Sequence, residues 1–101
     1  MIFKKQKIQG VYLIEPQPFK DKRGLFRRHF CTKEFKKNGI THKIEQANIS
    51  ENFKKGTLRG FHYQTGFSAE AKTLSCINGA IYDVVVDLRK NSKTFGKWIS
   101  F

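Results

Sequence analysis

Lys72-Thr73-Leu74-Ser75-Cys76-Ile77-Asn78-Gly79-Ala80-Ile81-Tyr82-Asp83-Val84-Val85-Val86-Asp87-Leu88 is the stretch that decides the fold class. Two runs rich in β-forming residues flank Asn78-Gly79, a dipeptide that favours a two-residue type I′ hairpin. The pairing it predicts sets Ile77 across from Ala80. Lys72, Leu74 and Cys76 then share a face with Ile81, Asp83, Val85 and Asp87. Lys72 would stand almost opposite Val85, with Asp83 and Asp87 as diagonal neighbours. A lysine held in that way is either structural or a fixed ammonium aimed at developing negative charge.

Outward from this hairpin, the chain keeps to short strands separated by turns. Ile8 to Ile14 reads as a strand, ended by Pro16 and Pro18. Phe19-Lys20-Asp21-Lys22-Arg23-Gly24 reads as a turn, and Leu25 to Phe30 as the next strand. Thr32 is placed to cap a short helix through Phe35-Lys36-Lys37, which Asn38-Gly39 would stop. Ile40 to Ser50 is ambiguous, with strand character around Ile44-Glu45-Gln46. Lys54-Lys55-Gly56 is a turn into a strand-like segment, Gly56 to Gln64, and Thr65 to Glu70 is a loop. Thr94 to Phe101 begins a further strand. Many short strands and one short helix predict an all-β sandwich or barrel.

A chain of 101 residues is expected to form one domain at most. Ten phenylalanines, one tryptophan and three tyrosines favour a packed core over disorder. The formal charge of +12 favours an anionic partner: a nucleic acid, a phosphorylated metabolite or an acidic surface. Lysine pairs such as Lys36-Lys37 and Lys54-Lys55 are more simply solvated edges. Cys31 and Cys76 show no metal-binding spacing, and reduced thiols in a cytoplasmic protein are the default. No apolar run is long enough to span a bilayer, and the N-terminal residues lack the apolar core of a signal peptide.

Gly56-Thr57-Leu58-Arg59-Gly60-Phe61-His62-Tyr63-Gln64 gathers a cation, a histidine, two aromatics and glycines. A histidine can exchange a proton near neutral pH, and an arginine can grip an anion. Taken alone, His62 is more often a structural histidine than a catalyst. A metal is disfavoured, because Gln64 sits where a β-barrel site wants a second imidazole. Strict alternation puts Arg59 and His62 on opposite faces, so a shared ligand would require a bulge or strong twist at Gly60.

Several blocks recur in order: Asp21-Lys22-Arg23-Gly24-Leu25-Phe26, Gln46-Ala47-Asn48-Ile49-Ser50, Lys55 to Gln64, Ala71-Lys72, Asp83 to Arg89, and Ser92-Lys93-Thr94-Phe95-Gly96-Lys97-Trp98. In this order they resemble the dTDP-4-dehydrorhamnose 3,5-epimerase family of cupin-like jelly rolls. The resemblance implies that residues 1–101 form the N-terminal portion of a single jelly-roll domain. It implies metal-free, cofactor-free epimerisation of a nucleotide-linked 4-keto-6-deoxy sugar at C3 and C5, in deoxysugar biosynthesis. His62 matches the family's base and Lys72 the cation near the enolate oxygen. Gln46, Asn48 and Arg59 match substrate-contacting positions. Arg23 matches an arginine that reaches the diphosphate from the neighbouring subunit, which implies a homodimer with a shared site.

The chain departs from the pattern at Arg28, where the family usually has a substrate-contacting glutamate, at Ala47 and at Glu70. Family members also continue past this length, supplying a second histidine, an opposite-face tyrosine acid and an aspartate paired to the base. An incomplete enzyme or an inactive remnant is therefore expected. The reading from a different class is a basic β-domain that binds single-stranded nucleic acid on Phe61, Tyr63 and Phe67. That reading is compositional and ranks below the ordered blocks.

Overall fold

Three antiparallel two-stranded ladders and one short helix make up the regular structure, and the computed structural model describes all 101 residues. The ladders stay separate and close no barrel. By its internal packing the chain falls into two compact units, Met1–Thr41 with Cys76–Phe101, and His42–Ser75.

The first unit opens with β1 (Ile2–Lys5) against β2 (Tyr12–Glu15), with Phe3 across from Ile14 and Lys5 across from Tyr12. The expected Ile8–Ile14 strand is thus shifted: pairing begins only at Tyr12. Ile8 instead lies in the connecting loop, where its carbonyl accepts from the Val11 amide at 3.1 Å. It is 2% exposed, so the loop anchors itself by burial. β1 itself was not anticipated. Its apolar residues are interrupted by lysines, and its pairing depends on a partner seven or more residues downstream.

β3 (Phe19–Asp21) and β4 (Gly24–Phe26) form a tight hairpin, with Asp21 across from Gly24. The stretch expected to be only a turn therefore supplies its own strand, and the strand expected through Phe30 ends at Phe26. Asp21 shapes the turn by accepting from the Arg23 amide at 2.8 Å, the local bond that makes Asp a turn residue.

α1 spans Thr32–Lys37. Its N-cap is Cys31, without a side-chain cap bond, and Thr32 is the first helical residue rather than the cap. The C-terminal stop is as expected. The Asn38 amide group donates back to the Glu34 carbonyl at 2.9 Å, and Gly39 takes φ +81°, a region that costs glycine little. Phe35, 5% exposed, is buried against Phe3 and Phe30, with ring centroids 5.2 and 4.7 Å away. Burying one such ring contributes about 1.5–3 kcal/mol. Glu34 pairs with the Met1 ammonium at 2.8 Å and with Arg28 at 2.6 Å, and these bonds hold its carboxyl below the usual range.

β5 (Val84–Val86) pairs with β6 (Trp98–Ser100), Val85 across from Ile99, and Asp83 and Phe101 exchange backbone bonds just beyond. This replaces the hairpin expected at Asn78-Gly79. A type I′ turn needs positive φ at both central residues, and only Gly79 has it. Asn78 stays on the negative side, so residues 72–77 and 80–88 do not pair. Leu74, Ile77 and Ile81 remain exposed.

The β5–β6 connection is organised by Asp87, 3% exposed. Its carboxylate accepts from Arg89 Nε at 2.8 Å, Ser92 Oγ at 2.6 Å and Thr94 Oγ1 at 2.7 Å. The Arg89 side chain, then the Ser92 and Thr94 hydroxyls, hold this carboxyl far below the ordinary range. Arg89 also donates from Nη2 to the Gln9 carbonyl at 2.9 Å, tying this loop to the β1–β2 loop.

The second unit, His42–Ser75, contains one 3₁₀ turn at Gly66–Ser68 and no ladder. Every one of its residues is exposed. No helix anywhere in the chain is long and apolar enough to cross a membrane.

Candidate active site

Five of the six residues singled out from the sequence, Gln46, Asn48, Arg59, His62 and Lys72, lie in His42–Ser75. The expected Gly56–Gln64 strand is not formed, so alternation does not decide which way Arg59 and His62 face. A bulge requires a ladder, and there is none here. Gly60 nevertheless takes φ +128°, a backbone region unsuited to other residues, between the arginine and the histidine. The turn before this segment is as expected, with Thr57 Oγ1 donating to the Lys54 carbonyl at 2.7 Å and Gly56 at φ +79°.

The polar contacts of the unit are few and specific. Arg59 Nη1 donates to Ser50 Oγ at 2.6 Å, joining the Gln46–Ser50 run to the Arg59–Gln64 run. Gln64 Nε2 donates to Glu70 Oε1 at 3.1 Å, and the same oxygen forms an ion pair with Lys72 Nζ at 2.9 Å. The His62 imidazole stands outside these contacts, exposed, beside the exposed rings of Phe61 and Tyr63. Gln46 and Asn48 lie two apart in an exposed, non-helical run.

Lys72 is where the sequence reading needs its main correction. With the Asn78-Gly79 hairpin absent, Lys72 does not stand across from Val85 with Asp83 and Asp87 as diagonals. Its carboxylate partner is Glu70, two residues away. Asp87 is engaged instead with Arg89, Ser92 and Thr94. The sequence held a signal for Glu70, because residues i and i+2 of an extended chain point to the same side. Ser50 carried no such signal, because its partner is nine residues away.

Arg23, the sixth residue, lies in the other unit, at the tip of the β3–β4 hairpin. Its Nη2 donates to Asp21 Oδ2 at 2.6 Å. The bond draws the Asp21 carboxyl below its usual value and raises the Arg23 guanidinium above its own. The pair is surface-exposed and screened by solvent.

An all-β chain with one short helix, carrying a histidine, a lysine and an arginine on one irregular segment, suits proton transfer beside an anion. Comparison with known proteins narrows the class. The family model for dTDP-4-dehydrorhamnose 3,5-epimerase matches residues 5–101. The Shigella flexneri dTDP-4-dehydrorhamnose 3,5-epimerase is 43% identical over 97 residues, covering 94% of this chain and 52% of that protein. The Sinorhizobium fredii protein of the same name is 42% identical over 100 residues, covering 99% and 51%. A crystal structure of dTDP-4-dehydrorhamnose 3,5-epimerase from Elizabethkingia anophelis superposes with a TM-score of 0.89 at 43% identity, over 100% of this chain and 55% of that one.

The fold is thus the cupin-like one of these enzymes, represented here by strands that do not close a barrel. The chain belongs to the dTDP-4-dehydrorhamnose 3,5-epimerase family. It spans about half the length of the curated relatives it matches.

Proposed function

We propose that this chain carries the base-and-cation part of a sugar-nucleotide epimerase site. The substrate is a nucleotide-linked 4-keto-6-deoxyhexose, with dTDP as the carrier. The 4-keto group acidifies the hydrogens on C3 and C5. The neutral His62 imidazole removes one of them as a proton, and the C–H electron pair passes into the carbonyl to give an enolate. Lys72 stabilises the enolate oxygen, and a proton returned to the opposite face completes the inversion. Positioned acid–base catalysis supplies about 10² to 10⁴-fold, so the charge at the enolate carries much of the remaining acceleration.

Gln46, Asn48 and Arg59 bind the substrate. Arg23 serves the diphosphate of a second subunit's site, in a homodimer, and the protein works in the cytoplasm. The observation that carries this reading is the family match across residues 5–101, which includes His62 and Lys72. Arg23, with its side chain 90% exposed at the tip of the β3–β4 hairpin, is accessible for the diphosphate role.

The test follows deuterium incorporation at C3 and C5 of a dTDP-4-keto-6-deoxyhexose in D₂O by NMR. It uses the 101-residue chain and the same chain extended by the C-terminal half of the Shigella relative. Incorporation by either form, lost in His62→Asn, supports the reading. Incorporation by neither form, or incorporation that survives His62→Asn unchanged, overturns it.

A further inference from the structure

We infer that Glu70 is a positioning residue for Lys72, a carboxylate that holds the ammonium and competes with the enolate for its charge. The inference rests on Lys72 being the cation of the proposed reaction. A single oxygen, Glu70 Oε1, takes both the Lys72 Nζ contact at 2.9 Å and the Gln64 Nε2 bond at 3.1 Å. Gln64 thereby fixes the carboxylate, and the carboxylate fixes the ammonium. Gln64 lies two residues after His62 in the chain.

An ammonium has three N–H donors and one positive charge. With that charge paired to Glu70, the resting pair is close to neutral. An enolate oxygen must share Lys72 with that carboxylate or displace it. Only interactions stronger in the transition state than in the ground state accelerate the chemical step. A pre-existing counter-charge therefore subtracts from what Lys72 can give. The side chains of Glu70 and Lys72 are 33% and 45% exposed, so water and salt screen the pair and the effect is modest.

Glu70→Gln keeps the size of the side chain, an acceptor for Lys72 and a partner for Gln64, and removes only the negative charge. In the exchange assay it is expected to raise kcat about two- to fivefold with KM unchanged. Wild-type kcat should rise with ionic strength while the Glu70→Gln rate stays flat, a difference that a merely structural role would not produce. In the substrate-free 101-residue chain, labelled with ¹⁵N and ¹³C, the Lys72 Cε and Nζ resonances should move in Glu70→Gln, because the paired charge is gone.

Unmoved Lys72 resonances, an unchanged or lowered kcat in Glu70→Gln, or equal salt slopes would each overturn the inference while leaving the epimerase reading standing. Lys72→Met separates the two ideas. Exchange that persists in Lys72→Met removes Lys72 from the chemistry, so that role in the reading fails and the inference goes with it. Loss of exchange in Lys72→Met with no response in Glu70→Gln fails the inference alone. Exchange by neither form of the chain fails both.

Discussion

The unit formed by Met1–Thr41 and Cys76–Phe101 buries Ile8, Phe35 and Asp87 and holds all three ladders, whereas every residue of His42–Ser75 is exposed. Backbone bonds in the second unit are confined to the turn at Thr65–Ala69. Five of the six proposed site residues lie on that less supported unit. Phe53, Leu58, Phe61, Tyr63 and Phe67 project from it without a core to fill. Packing within the unit does not account for its aromatic residues.

The largest expected effect comes from removing the anchor of the first unit. Phe35→Ala should cost about 3–5 kcal/mol and abolish the cooperative thermal transition seen by circular dichroism. A transition that survives with less than about 1 kcal/mol lost would place the core elsewhere.

Next is Asp87→Asn, which should lower the melting temperature by more than about 5 °C, because the hydroxyls and guanidinium gathered on that carboxylate lose their charged acceptor. Acid provides a second route to the same contact. The folded carboxyl titrates below its unfolded value of 3.8, so its contribution is complete above that pH and fades as pH falls further. Wild-type stability should decline below about pH 4, and Asp87→Asn should flatten part of that slope.

Hydrogen exchange sharpens the contrast further. The amides of Asp83, Asp87 and Phe101, bonded between the two arms of the β5–β6 pair, should exchange slowest. Those from His42 to Thr65 should exchange near the rate of an unstructured chain. Protection there comparable to the β5–β6 amides would erase the distinction between the units. The smallest effect is expected at Phe67→Ala, within about 0.5 kcal/mol, because that ring is exposed and leaves no cavity.

How legible all this was in the sequence depended on how far each signal reached. The helix stop at Asn38-Gly39, the turn at Lys54–Gly56 and the loop at Thr65–Glu70 are written in adjacent residues, and they formed. The family's ordered blocks were legible for the same reason. Pairings set by distant segments were not. Val84–Val86 has the composition of a strand, but its partner Trp98–Ser100 lies twelve or more residues downstream and is not written in adjacent residues. The candidate site divides along the same line. Its residue types were readable, while the Arg59–Ser50 and Gln64–Glu70 contacts follow from a path of the chain that lacks strand periodicity.

The bond from Arg89 to the Gln9 carbonyl, 80 residues apart, also bears on the order of events during synthesis. The first unit is discontinuous, so its opening loop cannot be fastened until the ribosome has released residues near position 89. By then His42–Ser75 has already emerged as a long excursion between two halves of a clasp. Closing such an excursion costs only about 0.6 kcal/mol more for each doubling of its length. Insertions there should leave the clasp able to shut, a freedom the short β3–β4 turn does not have.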